Sequence, residues 1–197
     1  NNFYKTLSND IKISSIGIGT YKGSANQSGD KNWHASILSG VNKGFNLIDT
    51  AAKYRRQKSE IIIGKCIKTL KKNFNIGRES LFISTKGGLI GYPNNSSSDY
   101  LDSLTRQFQI NPNDIYIKEF CMTPDFIRNQ IEQSRDRLKL DTIDCYYLHN
   151  PETLFQYKEQ DEAYLILESV FNVLEESIEE RKIKNYGLAS WNGLRRR

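Results

Sequence analysis

The residues best suited to chemistry stand where predicted strands end. Asp49 closes one strand and Tyr54 follows five residues later, while Lys86 and His149 stand at the ends of the next two strands. In a barrel of parallel strands these ends lie on one face, which carries the active site of essentially every characterised barrel enzyme. Each of the four residues alone also has a structural explanation, so the prediction depends on the set.

Together the four side chains favour proton transfer to a carbonyl oxygen. A tyrosine phenol has an ordinary pKa of about 10, and a neighbouring lysine cation favours the phenolate and lowers that pKa. Tyr54 beside Lys86 would then exchange a proton near neutral pH, with Asp49 holding the lysine and His149 hydrogen-bonding the oxygen. The sequence shows no nucleophile paired with a base and no cluster of metal ligands, which fits a reaction in which another group delivers hydride.

The composition excludes several classes of protein. The chain has 197 residues, a net charge of +5 and 11% aromatic residues. The aromatic content and the β-branched runs exclude a disordered chain, and no apolar stretch approaches the roughly 18 residues of a spanning helix. The basic clusters at Lys53–Lys58, Lys65–Lys72 and Arg195–Arg197 lack interleaved aromatic residues, so we interpret them as solvated helix faces rather than a nucleic-acid interface.

The number and spacing of the cysteines indicate the redox state of the compartment in which the protein works. Cys66, Cys121 and Cys145 are odd in number and far apart, which suits neither a disulfide framework nor a metal site. A reducing compartment is the default for such a chain, and no signal peptide is visible at Asn1. We therefore expect a cytoplasmic protein forming one domain over residues 1–197.

Strand and helix patterns alternate along the chain. A hairpin is predicted from Phe3–Leu7 and Ile11–Ser15 around the turn Ser8-Asn9-Asp10. Strands are predicted after it at Ile16–Thr20, Phe45–Asp49, Leu81–Thr85, Thr142–Leu148 and Ile183–Ala189. Helices are predicted between them over Trp33–Lys43, after Ser59, from Thr123-Pro124 and over Asp161–Arg181. This alternation predicts right-handed crossovers and a parallel sheet.

Polar residues and one glycine mark the helix ends. Asp30, Ser59 and Thr123 are predicted as N-caps, because their side chains can accept hydrogen bonds from the first turn. Gly44 is predicted to end the first helix.

Two architectures fit the alternation: an open doubly wound sheet and a (β/α)₈ barrel. A nucleotide-binding open sheet usually carries G-x-G-x-x-G after its first strand. The first unit here has Gly17-Ile18-Gly19-Thr20-Tyr21 without the third glycine, so the fingerprint is absent. The small residues in this strand indicate that another group approaches the backbone closely.

The segment Gly87–Met122 interrupts the alternation with a loop rich in glycine, asparagine and serine. Its roughly 35 residues far exceed the usual 2–6 residues of such a connection. We predict a substrate lid, with a surface insertion that has no role as the alternative.

In five motifs the chain resembles the aldo-keto reductases, NADP-dependent oxidoreductases built on a (β/α)₈ TIM barrel. The matching segments, in the family's order, are FYKTLSNDIKISSIGIGTY, FNLIDTAAKYRRQKSEIIIGKCI, LFISTKGG, TPDFIRNQIEQSRDRLKLDTIDCYYLHNPE and IKNYGLASWNG. The resemblance implies an α/β barrel with an N-terminal hairpin, truncated after about five barrel strands because the chain stops at Arg197. It also implies NADP(H) as cofactor, a small carbonyl substrate and no metal.

The resemblance implies a role for each site residue. Tyr54 would be the general acid that protonates the carbonyl, and Lys86 would lower its pKa. Asp49 would hold the lysine close to the nicotinamide ribose, and His149 would orient the carbonyl. The residues beside the cofactor would be Gly19, Thr20, Tyr21, Asp49, Ser190 and Asn192.

Three departures from the family pattern are visible. Arg55-Arg56 follows the tyrosine where many members have glycine or asparagine, which would bring positive charge near an acidic substrate or point it to solvent. Gly187-Leu188-Ala189-Ser190 replaces Gly-Val-Ser-Asn, so Ser190 and Asn192 are substitutes for the residues that hold the nicotinamide amide. The strands that supply the stacking tyrosine and the phosphate-binding groups are not within these 197 residues.

Two functions are therefore predicted. The first is reversible NAD(P)H-dependent reduction of an aldehyde or ketone. The alternative is a truncated, non-catalytic relative acting as a binding or structural protein, because open sheet edges invite pairing with another chain.

Overall fold

The computed structural model describes residues 3–7, 11–93 and 97–193. An antiparallel hairpin of β1 (Tyr4–Thr6) and β2 (Lys12–Ser14) precedes the main sheet, as predicted. The predicted turn Ser8-Asn9-Asp10 lies outside the described residues. The main sheet has five parallel strands, which are β3 (Ile18–Gly19), β4 (Leu47–Asp49), β5 (Phe82–Gly87), β6 (Cys145–His149) and β7 (Tyr186–Ala189).

The spatial order of the strands separates the two predicted architectures. The order is β3-β4-β5-β6-β7, the same as the order along the chain. A doubly wound sheet reverses its strand order at a switch point, and no reversal occurs among these strands. Consecutive parallel neighbours are how a barrel wall is built, so the sheet fits a part of a barrel.

Five helices connect or follow the strands. They are α1 (Gln27–Asn42), α2 (Lys58–Phe74), α3 (Ser97–Phe108), α4 (Pro124–Leu138) and α5 (Gln160–Glu179). Strand residues Ile83 and Tyr146 lie fully buried in one apolar cluster with helix residues Ile63, Ile131 and Leu174. No helix among the described residues is long and apolar enough to cross a membrane.

The predicted helix ends are partly confirmed. Thr123 caps α4 and accepts a hydrogen bond from the Phe126 N–H at 3.4 Å, and Gly44 follows α1 with a φ of +100°. The prediction for Asp30 was wrong, because α1 starts earlier and Asn26 caps it by accepting from the Gly29 N–H at 2.8 Å.

The cap predicted at Ser59 was also wrong. α2 already begins at Lys58, after Gln57 in a left-handed conformation. The Ser59 hydroxyl instead donates to the carbonyl oxygen of Thr20 at 2.9 Å. This bond joins the start of α2 to the segment that follows β3.

The segment Gly87–Met122 is more ordered than the predicted loop. It contains α3 and a short 3₁₀ helix over Pro112–Asp114. Its apolar residues Ile90, Leu104 and Phe120 are buried in the common core. The helical spacing of Tyr100, Leu101, Leu104 and Phe108 is the signal that could have predicted α3.

Candidate functional site

Three of the four predicted chemical residues stand at the carboxyl ends of adjacent strands. Asp49 is the last residue of β4, Lys86 the next-to-last of β5, and His149 the last of β6. The pairing places Ser84 opposite Asp49 and Tyr147 opposite Lys86. Side chains two residues apart on a strand share a face. The register therefore brings the side chains of Asp49, Lys86 and His149 to the same face of the sheet, together with those of Ser84 and Tyr147.

Lys86 is buried and makes two strong contacts there. Its Nζ donates to Oδ2 of Asp49 at 2.6 Å and to the carbonyl oxygen of Thr50 at 2.7 Å. Only 7% of Lys86 is exposed, so its ammonium needs these acceptors to offset lost hydration. The hydroxyl of Ser84 donates to Oδ1 of Asp49 at 2.8 Å. Both oxygens of the carboxylate are therefore held by β5.

Ser84 was not predicted as a site residue. The signal was available, since Ser84 stands two residues before Lys86 and must share its face of β5.

Tyr54 lies in the turn between β4 and α2 and completes the group. Its ring centroid is 4.8 Å from Nζ of Lys86 and 5.9 Å from the ring centroid of His149, which meets it edge-on at 84°. The ring of Tyr21 packs on it at 5.0 Å between centroids. The structure thus brings together Asp49, Tyr54, Lys86 and His149.

His149 is electrostatically distinct in this group. Burial lowers the pKa of its imidazole to about 4, and the nearby charges of Lys86 and Lys53 act in the same direction, against a weaker opposing effect of Glu152. The ring is therefore neutral at pH 7, with one nitrogen as donor and the other as acceptor. Nδ1 is buried without a hydrogen-bond partner among the described residues.

The last residue of β3, Gly19, and the two residues that follow it border this group on one side. A Cβ added at Gly19 would meet no heavy atom within 4 Å, so the backbone opens onto free space. Thr20 is buried, and both its N–H and its hydroxyl donate to the carbonyl oxygen of Asp49, at 3.0 and 3.1 Å. Tyr21 is exposed beside Tyr54. A flat ligand ring has room to approach at Gly19, and the partly exposed carboxylate of Asp49 adjoins that space.

Ser190 and Asn192 border the opposite side, immediately after β7. The pairing of His149 with Ala189 brings their loop to the same end of the sheet. Glu152 organises this loop, because its Oε1 accepts from the N–H groups of Trp191 at 2.8 Å and Asn192 at 3.1 Å. The hydroxyl of Ser190 accepts from the N–H of Gly193 at 2.8 Å.

Glu152 was not predicted as a functional residue. Burial alone would raise the pKa of its carboxyl, but hydrogen bonds from the loop, foremost the Asn192 N–H, hold that pKa below its ordinary value. The charged carboxylate thus stabilises the loop that follows β7. Its position three residues after His149 was the available sequence signal.

Arg55 does not point to solvent, which was one of the two predicted alternatives for Arg55-Arg56. Its side chain is 1% exposed and is held inside the protein. Nη2 donates to Oδ1 of Asp30 at 2.5 Å and to the carbonyl oxygen of Ser24 at 2.7 Å. The left-handed backbone of Arg55, with φ of 48°, turns the side chain towards α1. Arg56 is exposed.

The cysteines take no part in this group. Cys66, Cys121 and Cys145 are free and buried, and burial raises the pKa of the Cys66 thiol to about 12. Across residues 3–7, 11–93 and 97–193, no three His, Cys, Asp or Glu side chains form a group that could hold a metal ion.

Comparison with known proteins gives a consistent result. The model of the aldo/keto reductase family matches residues 15–196. D-threo-aldose 1-dehydrogenase of a Pseudomonas species is 31% identical over 163 residues, which are 83% of this chain and 45% of that protein. NADH-specific methylglyoxal reductase of Escherichia coli is 31% identical over 145 residues, covering 71% of this chain and 39% of that protein.

The solved structures agree on the fold. An aldo-keto reductase of Bacillus halodurans in its holo form superposes with a TM-score of 0.66 at 20% identity, over 95% of this chain and 50% of that one. The chain therefore spans half the length, or somewhat less, of these relatives.

Proposed function

From the premise that this chain belongs to the aldo/keto reductase family, we propose that it carries the proton-transfer residues of a nicotinamide-dependent carbonyl reductase. Its five parallel strands would form part of a (β/α)₈ barrel. The substrate would be a small aldehyde or ketone, and the location would be cytoplasmic.

One observation carries the proposal: a buried ammonium lies beside a tyrosine ring at the carboxyl edge of the sheet. Lys86 is held by Asp49 and by the carbonyl oxygen of Thr50, so it cannot turn away from Tyr54. A fixed cation next to a phenol stabilises the phenolate that remains when the proton has left. Tyr54 is therefore the proposed general acid.

His149 orients the substrate in this proposal. Its neutral ring has one N–H to donate to the carbonyl oxygen, because the lowered pKa keeps the second proton off at pH 7. The oxygen would lie between this donor and the hydroxyl of Tyr54. As the carbonyl carbon gains hydride, the oxygen takes the proton of Tyr54 and the alcohol forms. The phenolate of Tyr54 then recovers a proton from water.

A bound nicotinamide cofactor would supply the hydride. The residues present fit its nicotinamide end: Gly19 leaves free space beside Asp49, and the loop with Ser190 and Asn192 closes the other side. We propose Gly19, Thr20, Tyr21, Asp49, Ser190 and Asn192 as the residues nearest to it. We also propose NADP(H) as the cofactor, although the relative from E. coli is by name NADH-specific.

The test is the Tyr54→Phe substitution in catalytically active protein. Reduction of a panel of small aldehydes and ketones should fall roughly 10²–10⁴-fold, the usual contribution of general acid catalysis. NADPH binding, followed by nicotinamide fluorescence, should persist. Tyr164→Phe is the matched control, because Tyr164 is exposed on α5. Reduction rates that Tyr54→Phe leaves unchanged would reject the assignment.

One feature favours the alternative of a non-catalytic binding or structural protein. A groove of about 590 Å³ on the outer side of β7 is lined by Phe155, Tyr164, Leu167, Phe171 and Leu188. Exposed apolar surface of this kind marks interaction sites or promotes association. If the protein binds neither NADPH nor NADH and self-associates, this alternative replaces the first.

A further inference from the structure

We infer that Arg55 is a positioning residue that ties the loop of Tyr21 to the loop of Tyr54. The inference rests on the proposed function for its kinetic consequence, but its structural part stands on the contacts of Arg55 alone. These contacts connect the turn after β4 with the segment between β3 and α1.

Arg55 bridges two elements with a single buried guanidinium. Nε and Nη2 both donate to the carbonyl oxygen of Ser24, at 3.1 and 2.7 Å, and Nη2 also reaches Oδ1 of Asp30 at 2.5 Å. Asp30 stands in the first turn of α1, and its Oδ2 accepts from Lys58 at 3.4 Å. The carboxylate therefore anchors Arg55 on a helix rather than on a second loop.

The packing around this bridge is close. A Cβ added at Gly29 would lie 2.1 Å from the carbonyl oxygen of Ser24 and 3.0 Å from Nη2 of Arg55. A Cβ at Gly23 would lie 3.9 Å from Nε of Arg55. Ser24 is thus held between the guanidinium and the start of α1, with little freedom to move.

The bridge acts on the site through Tyr21. Tyr21 precedes Ser24 by three residues and packs its ring against Tyr54, the residue directly before Arg55. Of the two residues in ring contact, Tyr21 is therefore close in sequence to Ser24 and Tyr54 is next to Arg55. Tyr21 is 58% exposed, so burial contributes little to its position. Its loop is also held at Thr20, which bonds to Asp49 and Ser59, and at Lys22, whose carbonyl oxygen accepts from Trp33 Nε1 at 2.9 Å. The guanidinium of Arg55 adds the anchor at Ser24, on the far side of Tyr21 from Thr20.

The backbone of Arg55 supports the same conclusion. Its φ of 48° is left-handed, a conformation that glycine adopts freely and that side chains disfavour. An arginine here is strained relative to glycine, so its value to the protein lies in the contacts of its side chain.

The experiment compares Arg55→Gly and Arg55→Met with the wild-type protein. Arg55→Gly removes the guanidinium while relieving the left-handed backbone, and urea unfolding checks that each variant remains folded. Arg56→Met is the control, because Arg56 has a similar backbone conformation and an exposed side chain. Amide hydrogen exchange is measured at Thr20, Gly29 and Asp30, whose N–H groups are hydrogen-bonded on either side of the Tyr21 loop, with α2 and α4 as internal references. The turnover number kcat and its solvent deuterium isotope effect are measured with a carbonyl substrate.

We expect exchange at the amides of Thr20, Gly29 and Asp30 to accelerate about tenfold or more in both variants, with α2 and α4 unchanged. We also expect kcat to fall roughly tenfold to a hundredfold, because small displacements of a reacting group are costly. The solvent isotope effect should rise as proton transfer from Tyr54 limits the rate more, whereas a simple loss of folded protein would leave it unchanged. Arg55→Lys should recover part of kcat, since one donor can still reach the oxygen of Ser24.

Unchanged exchange at the amides of Thr20, Gly29 and Asp30 would overturn the inference, whatever happens to the rates. So would faster exchange with an unchanged kcat or an unchanged isotope effect. Failure of the proposed function has a different signature: the wild-type protein itself would reduce no carbonyl, or Tyr54→Phe would remain active. The exchange measurement still decides in that case whether Arg55 ties the two loops.

Discussion

Nζ of Lys86 lies 2.6 Å from Oδ2 of Asp49, across two neighbouring strands. The contact joins the carboxyl ends of β4 and β5 at the point where the turn with Tyr54 leaves the sheet. The other carboxylate oxygen is taken by the hydroxyl of Ser84. This pair is therefore both a link between strands and the support of the proposed acid.

Replacing the lysine tests whether the pair supports the proposed acid. Lys86→Met removes the cation while filling a similar volume, so Tyr54 loses the charge that stabilises its phenolate. We expect kcat for carbonyl reduction to fall at least about a hundredfold. Lys65→Met is the control, because Lys65 lies on the exposed face of α2, and this substitution should leave kcat unchanged. A full rate in Lys86→Met would show that the ammonium does not assist proton transfer.

His149 should make the protein less stable in acid. Its pKa is about 4 in the folded protein and about 6.5 when unfolded, so the unfolded chain binds the proton more readily. The stability that depends on the neutral ring is complete above pH 6.5 and is lost as the pH falls towards 4. The loss amounts to about 3 kcal/mol.

The measurement for His149 is urea unfolding at several pH values for the wild type and for His149→Asn. The difference in unfolding free energy between the two proteins should shift in favour of the variant as the pH falls from 7 to 4. All other titrating groups are common to both proteins. A constant difference across this range would contradict the predicted titration.

Substitution by alanine should have different effects on the unfolding free energy at Gly19 and at Gly91. Gly19→Ala meets no neighbouring atom, so the unfolding free energy should change by less than about 0.5 kcal/mol, while NADPH affinity falls because the methyl group occupies the free space. Gly91→Ala places its Cβ 2.1 Å from the carbonyl oxygen of Ala52. It should cost about 1–3 kcal/mol of stability. Unfolding and fluorescence titrations on both variants test the contrast, and unaltered NADPH binding by Gly19→Ala would remove Gly19 from the proposed cofactor site.

The ion pair between Glu60 and Arg137 should be a strong contributor to stability. Glu60 is fully buried on α2, and Nε of Arg137 on α4 donates to its Oε2 at 2.5 Å. Arg137→Met would leave the carboxylate with the hydroxyl of Thr85 as its remaining described partner, at 2.6 Å. We expect a loss of about 3–5 kcal/mol in unfolding free energy.

The double variant Glu60→Gln with Arg137→Met tests the physical cause of this loss. It removes the unpaired buried charge, so it should recover a large part of the stability lost in Arg137→Met alone. If the double variant is as unstable as the single one, the cost comes from packing rather than from the charge.

The proximity of the four candidate residues could be predicted because three of them obey the geometry of parallel strands. Asp49, Lys86 and His149 end consecutive strands, so their meeting at one edge follows from strand order alone. The direction of Arg55 could not be predicted in this way. Residues 55–57 all have positive φ, and such a turn breaks the alternation from which the side-chain direction is inferred.

Contacts between residues far apart along the chain could not be predicted from the sequence either. Arg55 pairs with Asp30, 25 residues earlier, and the buried Glu60 pairs with Arg137 of α4, 77 residues later. Local patterns identify the elements, whereas these contacts exist only after the helices have packed.

The distribution of the site over consecutive strands has a consequence for synthesis of the protein. Asp49, Tyr54, Lys86 and His149 appear on the ribosome in that order, about a hundred residues apart from first to last. The acid and its lysine can meet once β5 has formed, but the histidine joins them only after α4 and β6 have been added. A nascent chain that has emerged as far as residue 122 would hold the ion pair and the tyrosine without the histidine that we propose orients a substrate.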